Sequence, residues 1–185
     1  YKIIIDAKAQ KKAIGIFGGS FDPPHKGHVQ ISKISLKKLN LKKIYWVITK
    51  KNPFKNKAFF SLKERMKKST KSLKKFKDIN VLYLDDKVKS SRMINIINYF
   101  RVTRNQKNLY LILGSDNLLN FHKWTSWKNI VKLTKLVVFS RKGYDKQGKE
   151  SLVVKYINKK NIIFINNKLI NVSSSNIKKK LNENS

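Results

Sequence analysis

The strongest constraint on this chain's fold is its alternation of short apolar runs with longer amphipathic stretches. Ala13–Phe17, Ile44–Ile48, Ile79–Leu84, Leu109–Leu113, Leu136–Phe139 and Ile162–Ile165 read as buried strands. Over Gly27–Leu39, the apolar positions Val29, Ile31, Ile34, Leu36 and Leu39 fall mainly at helical spacing. Ser61-Leu62-Lys63-Glu64 has the form of a capping box, opening a helix that ends near Phe76. Further helices are expected at Ser91–Val102, in one or two short pieces up to Val131, at Ser151–Asn158 and at Ser173–Leu181. Lys50–Phe60 reads as a polar, Pro-containing loop. Strands alternating with helices predict an α/β protein built on a doubly wound parallel sheet with helices on both faces. No internal repeat and no long Gly/Ser linker divides the 185 residues, so one domain is expected, with residues 1–12 as an extra N-terminal segment.

Composition excludes some classes of function. There is no cysteine, hence no disulfide framework and no thiolate metal site. The apolar runs are far too short to span a bilayer, and no charged-then-apolar signal segment opens the sequence, so a cytoplasmic location is expected. Charge is the unusual feature: 43 Lys and Arg against 10 acids give a formal +33. Such a field draws polyanions, nucleic acid among them. Only five of the 43 are Arg, however, and the lysines recur in nearly every segment rather than along one stripe. Lys, Asn and Ile share A/T-rich codons, so drift in composition explains the excess, with incidental help in attracting ATP.

The chemistry concentrates in Gly15–His28, GIFGGSFDPPHKGH. A strand delivers the chain to Gly18-Gly19, where missing side chains let backbone N–H groups approach an anion. Pro23 and Pro24 stiffen the turn. A helix beginning near His25 turns its free N–H groups and positive dipole end toward the same space. His25 and His28 lie three apart and share one helix face. The expected product is a phosphate site carrying two of the chain's three imidazoles. The competing reading is a tight strand-to-helix turn with incidental histidines.

Gly19-Ser20-Phe21-Asp22-Pro23-Pro24-His25-Lys26-Gly27-His28 resembles the GxFDPxHxGH signature of the nucleotidyltransferase superfamily. The resemblance implies a Rossmann-like fold that binds ATP at Gly18, Gly19, Ser20 and Phe21. It also implies an acceptor phosphate attacking the α-phosphorus in line without a covalent enzyme intermediate, with His25 and His28 contacting the ATP phosphates in the transition state. Mg²⁺ is the implied counter-ion, held mostly by phosphates and water. No metal-ligating residues are assigned.

Later segments are similar to those of bacterial nicotinate-nucleotide adenylyltransferases, which implies AMP transfer from ATP to nicotinate mononucleotide in NAD biosynthesis. Gly114-Ser115-Asp116 follows a strand, and the family implies that Gly114 and Asp116 bind ATP through its ribose; the other reading of Asp116 is a helix N-cap. Trp124 lies eight residues on, where the family stacks a tryptophan on the pyridine ring, while Trp127 is expected in the core and His122 on the surface or in packing. Ser140-Arg141-Lys142-Gly143-Tyr144 is similar to the family's RPGY segment and offers Arg141 as the phosphate contact. Val172–Lys178 resembles ISSTxIR, placing Ser173, Ser174, Ser175 and Lys178 at the ATP phosphates. Two stretches depart from the family. Arg92-Met93-Ile94-Asn95-Ile96 replaces a YTxxT-like segment, although Ser90 and Ser91 lie just upstream, and Asn52-Pro53-Phe54-Lys55 replaces PPHK, leaving Lys55 for the acceptor. Same-fold enzymes acting on nicotinamide mononucleotide or phosphopantetheine remain alternatives, and a basic nucleic-acid-binding protein is the more distant one.

Overall fold

In a computed structural model, residues 13–50, 57–166 and 181–182 are described. The expectations for residues 1–12, Asn52–Lys55 and Ser173–Lys178 lie outside them. Six strands form one sheet: Ile14–Gly19 (β1), Lys43–Ile48 (β2), Ile79–Leu82 (β3), Leu109–Gly114 (β4), Lys135–Phe139 (β5) and Ile162–Ile165 (β6). All five pairings are parallel and the spatial order is β3-β2-β1-β4-β5-β6. The order reverses between β1 and β4, the place where open α/β sheets leave a crevice at their carboxyl ends.

The helices are Lys26–Lys38 (α1), Leu62–Ser72 (α2), Asp85–Val88 (α3), Met93–Asn98 (α4), Ser115–Leu118 (α5), Trp127–Leu133 (α6), Asp145–Lys149 (α7) and Leu152–Tyr156 (α8). Period-2 alternation along the strands builds two cores. Ile14, Ile16, Leu109, Leu111, Leu113, Leu136 and Val138 face α4, α6 and α8 with Ile97, Ile130 and Val153. Phe17, Ile44, Trp46, Ile48, Tyr110, Ile112, Val137 and Phe139 face the other way, toward Ile31 of α1 and Leu73 after α2. The sheet is covered on both faces, as the sequence predicts.

The differences in detail are local. β1 runs on through Gly18 and Gly19, which pair with Val47 and Ile48 of β2 instead of forming the turn itself. Pairing of β1 with β4 stops at Phe17, so beyond it β1 is open on the β4 side alone. The helix expected at Ser91–Val102 is α4 followed by a π-helical turn at Tyr99–Thr103. The run expected as strand up to Leu84 ends its ladder at Leu82 and passes into α3.

Candidate active site

The turn after β1 is built around buried aromatic rings. Trp46 is fully enclosed and donates its indole N–H to Ser32 Oγ at 2.8 Å, which in turn donates to the His28 carbonyl at 2.8 Å. Phe21 stacks on Trp46 with centroids 4.8 Å apart and adopts φ +47°, a conformation rare for a bulky residue. Its ring belongs to the core, leaving its backbone to face the turn.

The two histidines cap α1 reciprocally. His25 Nδ1 accepts from the Gly27 N–H at 3.1 Å, and His28 Nδ1 accepts from the His25 N–H at 3.1 Å. Those bonds fix the tautomer: a neutral ring accepting at Nδ1 carries its proton on Nε2. The rings stack at 3.8 Å, and Phe17 and Phe21 pack on His28. Burial lowers the His25 pKa to about 4, with the Arg141 charge adding to the effect. His28 is held well below the usual range by burial, by His25 and by Arg141. Both imidazoles are neutral N–H donors at neutral pH. His25 is only 8% exposed, yet its Nε2 has no hydrogen-bond partner among the described residues. A buried donor left without a partner is costly.

Across the crevice, β4 ends at Gly114, where an added Cβ would collide with Asp116 Oδ1 and the Arg141 side chain. Asp116 does not cap the following helix: Gly114 holds that position and no side chain bonds there. Its Oδ1 instead stands 3.6 Å from Arg141 Nε, in a half-exposed ion pair without a hydrogen bond. The Arg141 N–H donates to Ser115 Oγ and Asp145 Oδ1, both at 3.0 Å, and Ser115 Oγ donates to Asp145 at 2.7 Å. Asp145 thus fastens the end of β5 to the end of β4. Trp124 and Trp127 are both half-buried against the same core, Trp124 packing on Phe121 at 4.7 Å and Trp127 on Tyr156 at 5.1 Å. His122 is half-buried. In the departing stretch, Ser90 Oγ accepts from the Arg92 N–H and the Asn95 amide.

Composition and motif alone did not single out Arg65, Asp85 or Asp145. The fully buried Arg65 donates to four carbonyls around the turn. Asp22 accepts from the N–H groups of Phe59 and Phe60, both at 2.7 Å. Asp85 accepts from the Lys50 N–H at 2.8 Å, and burial raises its pKa. The scarcity of Arg, five of 43 cationic residues, did not distinguish Arg65 from the exposed Arg92 and Arg104.

A groove of about 520 Å³ between α4 and α6 is lined by Arg92, Asn95, Thr125 and Lys132 among others, but by neither histidine. The chemistry converges instead where β1 and β4 diverge. Among the described residues no three His, Asp or Glu side chains gather to hold a metal, and no helix is long and apolar enough to cross a membrane.

A cytidylyltransferase-like family model matches residues 16–180. A protein of Pelagibacter ubique described as a probable nicotinate-nucleotide adenylyltransferase is 46% identical over 170 residues, 92% of this chain and 94% of its own length. One from Nitratiruptor with the same description is 36% identical over 141 residues, 76% of this chain and 80% of its own. The nicotinic acid mononucleotide adenylyltransferase of Plasmodium falciparum, solved with NaAD and with APC, shares the fold at TM-score 0.71. At 20% identity the match covers 90% of this chain and 82% of that one.

Proposed function

The chain belongs to the cytidylyltransferase-like family, and within it to the nicotinate-nucleotide adenylyltransferases; we propose that it uses His25 and His28 to transfer AMP from ATP to nicotinate mononucleotide. One observation carries the assignment of His25, and His28 stacked on it follows: the buried Nε2–H of His25, fixed in tautomer by the helix cap, has no partner among the described residues.

In the proposed reaction an oxygen of the acceptor phosphate bonds to the α-phosphorus of ATP. The bond from that phosphorus to the bridging oxygen breaks, and pyrophosphate leaves. The protein's part is placement and charge stabilisation. The two Nε2–H groups donate to phosphate oxygens as charge moves onto the leaving pyrophosphate. The open edge of β1 at Gly18 and Gly19, with Ser20 and the Phe21 backbone, borders the triphosphate. Arg141 grips the acceptor phosphate once ATP's ribose draws Asp116 out of their ion pair. Trp124 offers an aromatic face to the pyridine ring. Lys55 and Ser173, Ser174, Ser175 and Lys178 keep the roles the resemblance implies.

Mg²⁺ would accompany ATP on phosphate oxygens and water, and the Asp116 carboxylate could accept hydrogen bonds from its water ligands. When bound it neutralises phosphate charge and so eases attack on the α-phosphorus.

A pyrophosphate-release assay with ATP and each of nicotinate mononucleotide, nicotinamide mononucleotide and phosphopantetheine tests the reading. The expected result is the highest kcat/KM with the first. Preference for either other acceptor, or no turnover with any, contradicts it.

A further inference from the structure

Arg65 lies on the first turns of α2, outside the signature, yet its side chain reaches back beneath it. Nη1 donates to the Ser20 carbonyl at 2.9 Å and to the Thr49 carbonyl at 2.7 Å. Nη2 donates to Lys50 at 2.9 Å, and Nε donates to Phe60 at 3.1 Å. One guanidinium therefore ties together the turn after β1, the end of β2 and the residue before the α2 cap. The side chain is 1% exposed, and the described residues offer it no carboxylate salt bridge; burial lowers its pKa, and the charges of Asp22 and Asp85 offset this only in part. Those two carboxylates serve the same segments from the other side. Asp22 holds the Phe59 and Phe60 N–H groups, and Asp85 holds that of Lys50.

A buried charge contributes little to stability over a well-packed apolar residue of the same size; what it adds is geometric specificity. Here that specificity joins the strand-to-helix turn carrying His25 and His28 to both flanks of segment 51–56. We propose, resting on the adenylyl-transfer reading, that Arg65 is a positioning residue: its fork fixes the register between the histidine turn and the flanks of that segment, so that acceptor and ATP meet in line. Lysine is a poor substitute, since its donors radiate from one point and cannot span four carbonyls.

The test is Arg65→Lys in the full-length chain. Turnover is counted per molecule that binds a non-hydrolysable ATP analogue, so that partial unfolding does not enter. Misplacement of reacting groups by about 1 Å costs roughly 10²-fold in rate. The expected result is a kcat loss of that order with KM for ATP changed by no more than a few-fold. Asp22→Asn sets an amide NH2 against one of the two backbone donors Asp22 now receives. It loosens the same flank without a core void and is expected to show the same split. Wild-type kcat per ATP-binding molecule in both variants overturns the proposal, as does a loss in KM for ATP alone. Failure of the wild-type protein to release pyrophosphate with any acceptor would instead sink the functional reading beneath it.

Discussion

Each signature histidine has two nitrogens, one engaged in the helix cap and one assigned to catalysis in the proposed reaction. Nδ1 takes part in the cap of α1, and the bond it accepts keeps the proton on Nε2, the atom proposed to meet phosphate. Capping and catalysis can therefore be separated by substitution. His25→Ala removes both and is expected to cost about 1 kcal/mol of stability, the usual value of a lost N-cap. His25→Asn keeps a good capping acceptor but carries no group where Nε2 stands. Its expected signature is near-wild-type stability, read by urea denaturation, with kcat down roughly 10²–10³-fold, the usual loss for one transition-state donor. Equal stability losses in the two variants, or normal turnover in His25→Asn, would contradict the division of labour. The imidazole pair was legible in the sequence because its spacing sits inside a Gly-rich strand-to-helix turn. The tautomer was not, because it depends on which backbone N–H each Nδ1 meets. Arg65 stayed hidden because its four acceptors are carbonyls, which every residue has.

At the scale of elements, the site depends on how closely short helices approach strand ends. Gly148 of α7 lies against α5: a Cβ there would come within 2.9 Å of the Ser115 carbonyl oxygen. Backbone cannot yield as a flexible side chain can, so Gly148→Ala is expected to cost about 1–3 kcal/mol. It should also displace the Ser115–Asp145–Arg141 clamp and raise KM for the acceptor. Thermal unfolding together with acceptor titration checks this, and an unchanged melting temperature would show that α7 packs more loosely than described. All six strands were legible to within two residues at each end because their apolar runs are bounded by polar or turn residues. β3 ends two residues early because Leu82 is the last residue to find a partner, Val47. The helices α3 and α7, four and five residues long, went unread because so short a segment shows no apolar stripe. The capping box at Ser61 and Glu64 formed as its spacing requires.

For the whole molecule, two-sided strand burial was readable from apolar runs, but the strand order was not. Only the order places the ends of β1 and β4 side by side, and with them His25, His28, Asp116 and Arg141. The +33 charge bears on the same place, since a cationic surround disfavours protonated imidazole while drawing in a triphosphate. Arg141 is the local instance, acting on both rings. The proposed transfer requires two uncharged rings, each able to donate its Nε2–H to phosphate. Nitrogen-15 NMR of the histidine side chains, with and without a non-hydrolysable ATP analogue at pH 7, observes this directly. The expected spectrum shows both signature histidines neutral with the proton on Nε2, and both Nε2 resonances moving when the analogue binds. Protonated rings, protons on Nδ1, or Nε2 signals indifferent to the analogue would contradict the account.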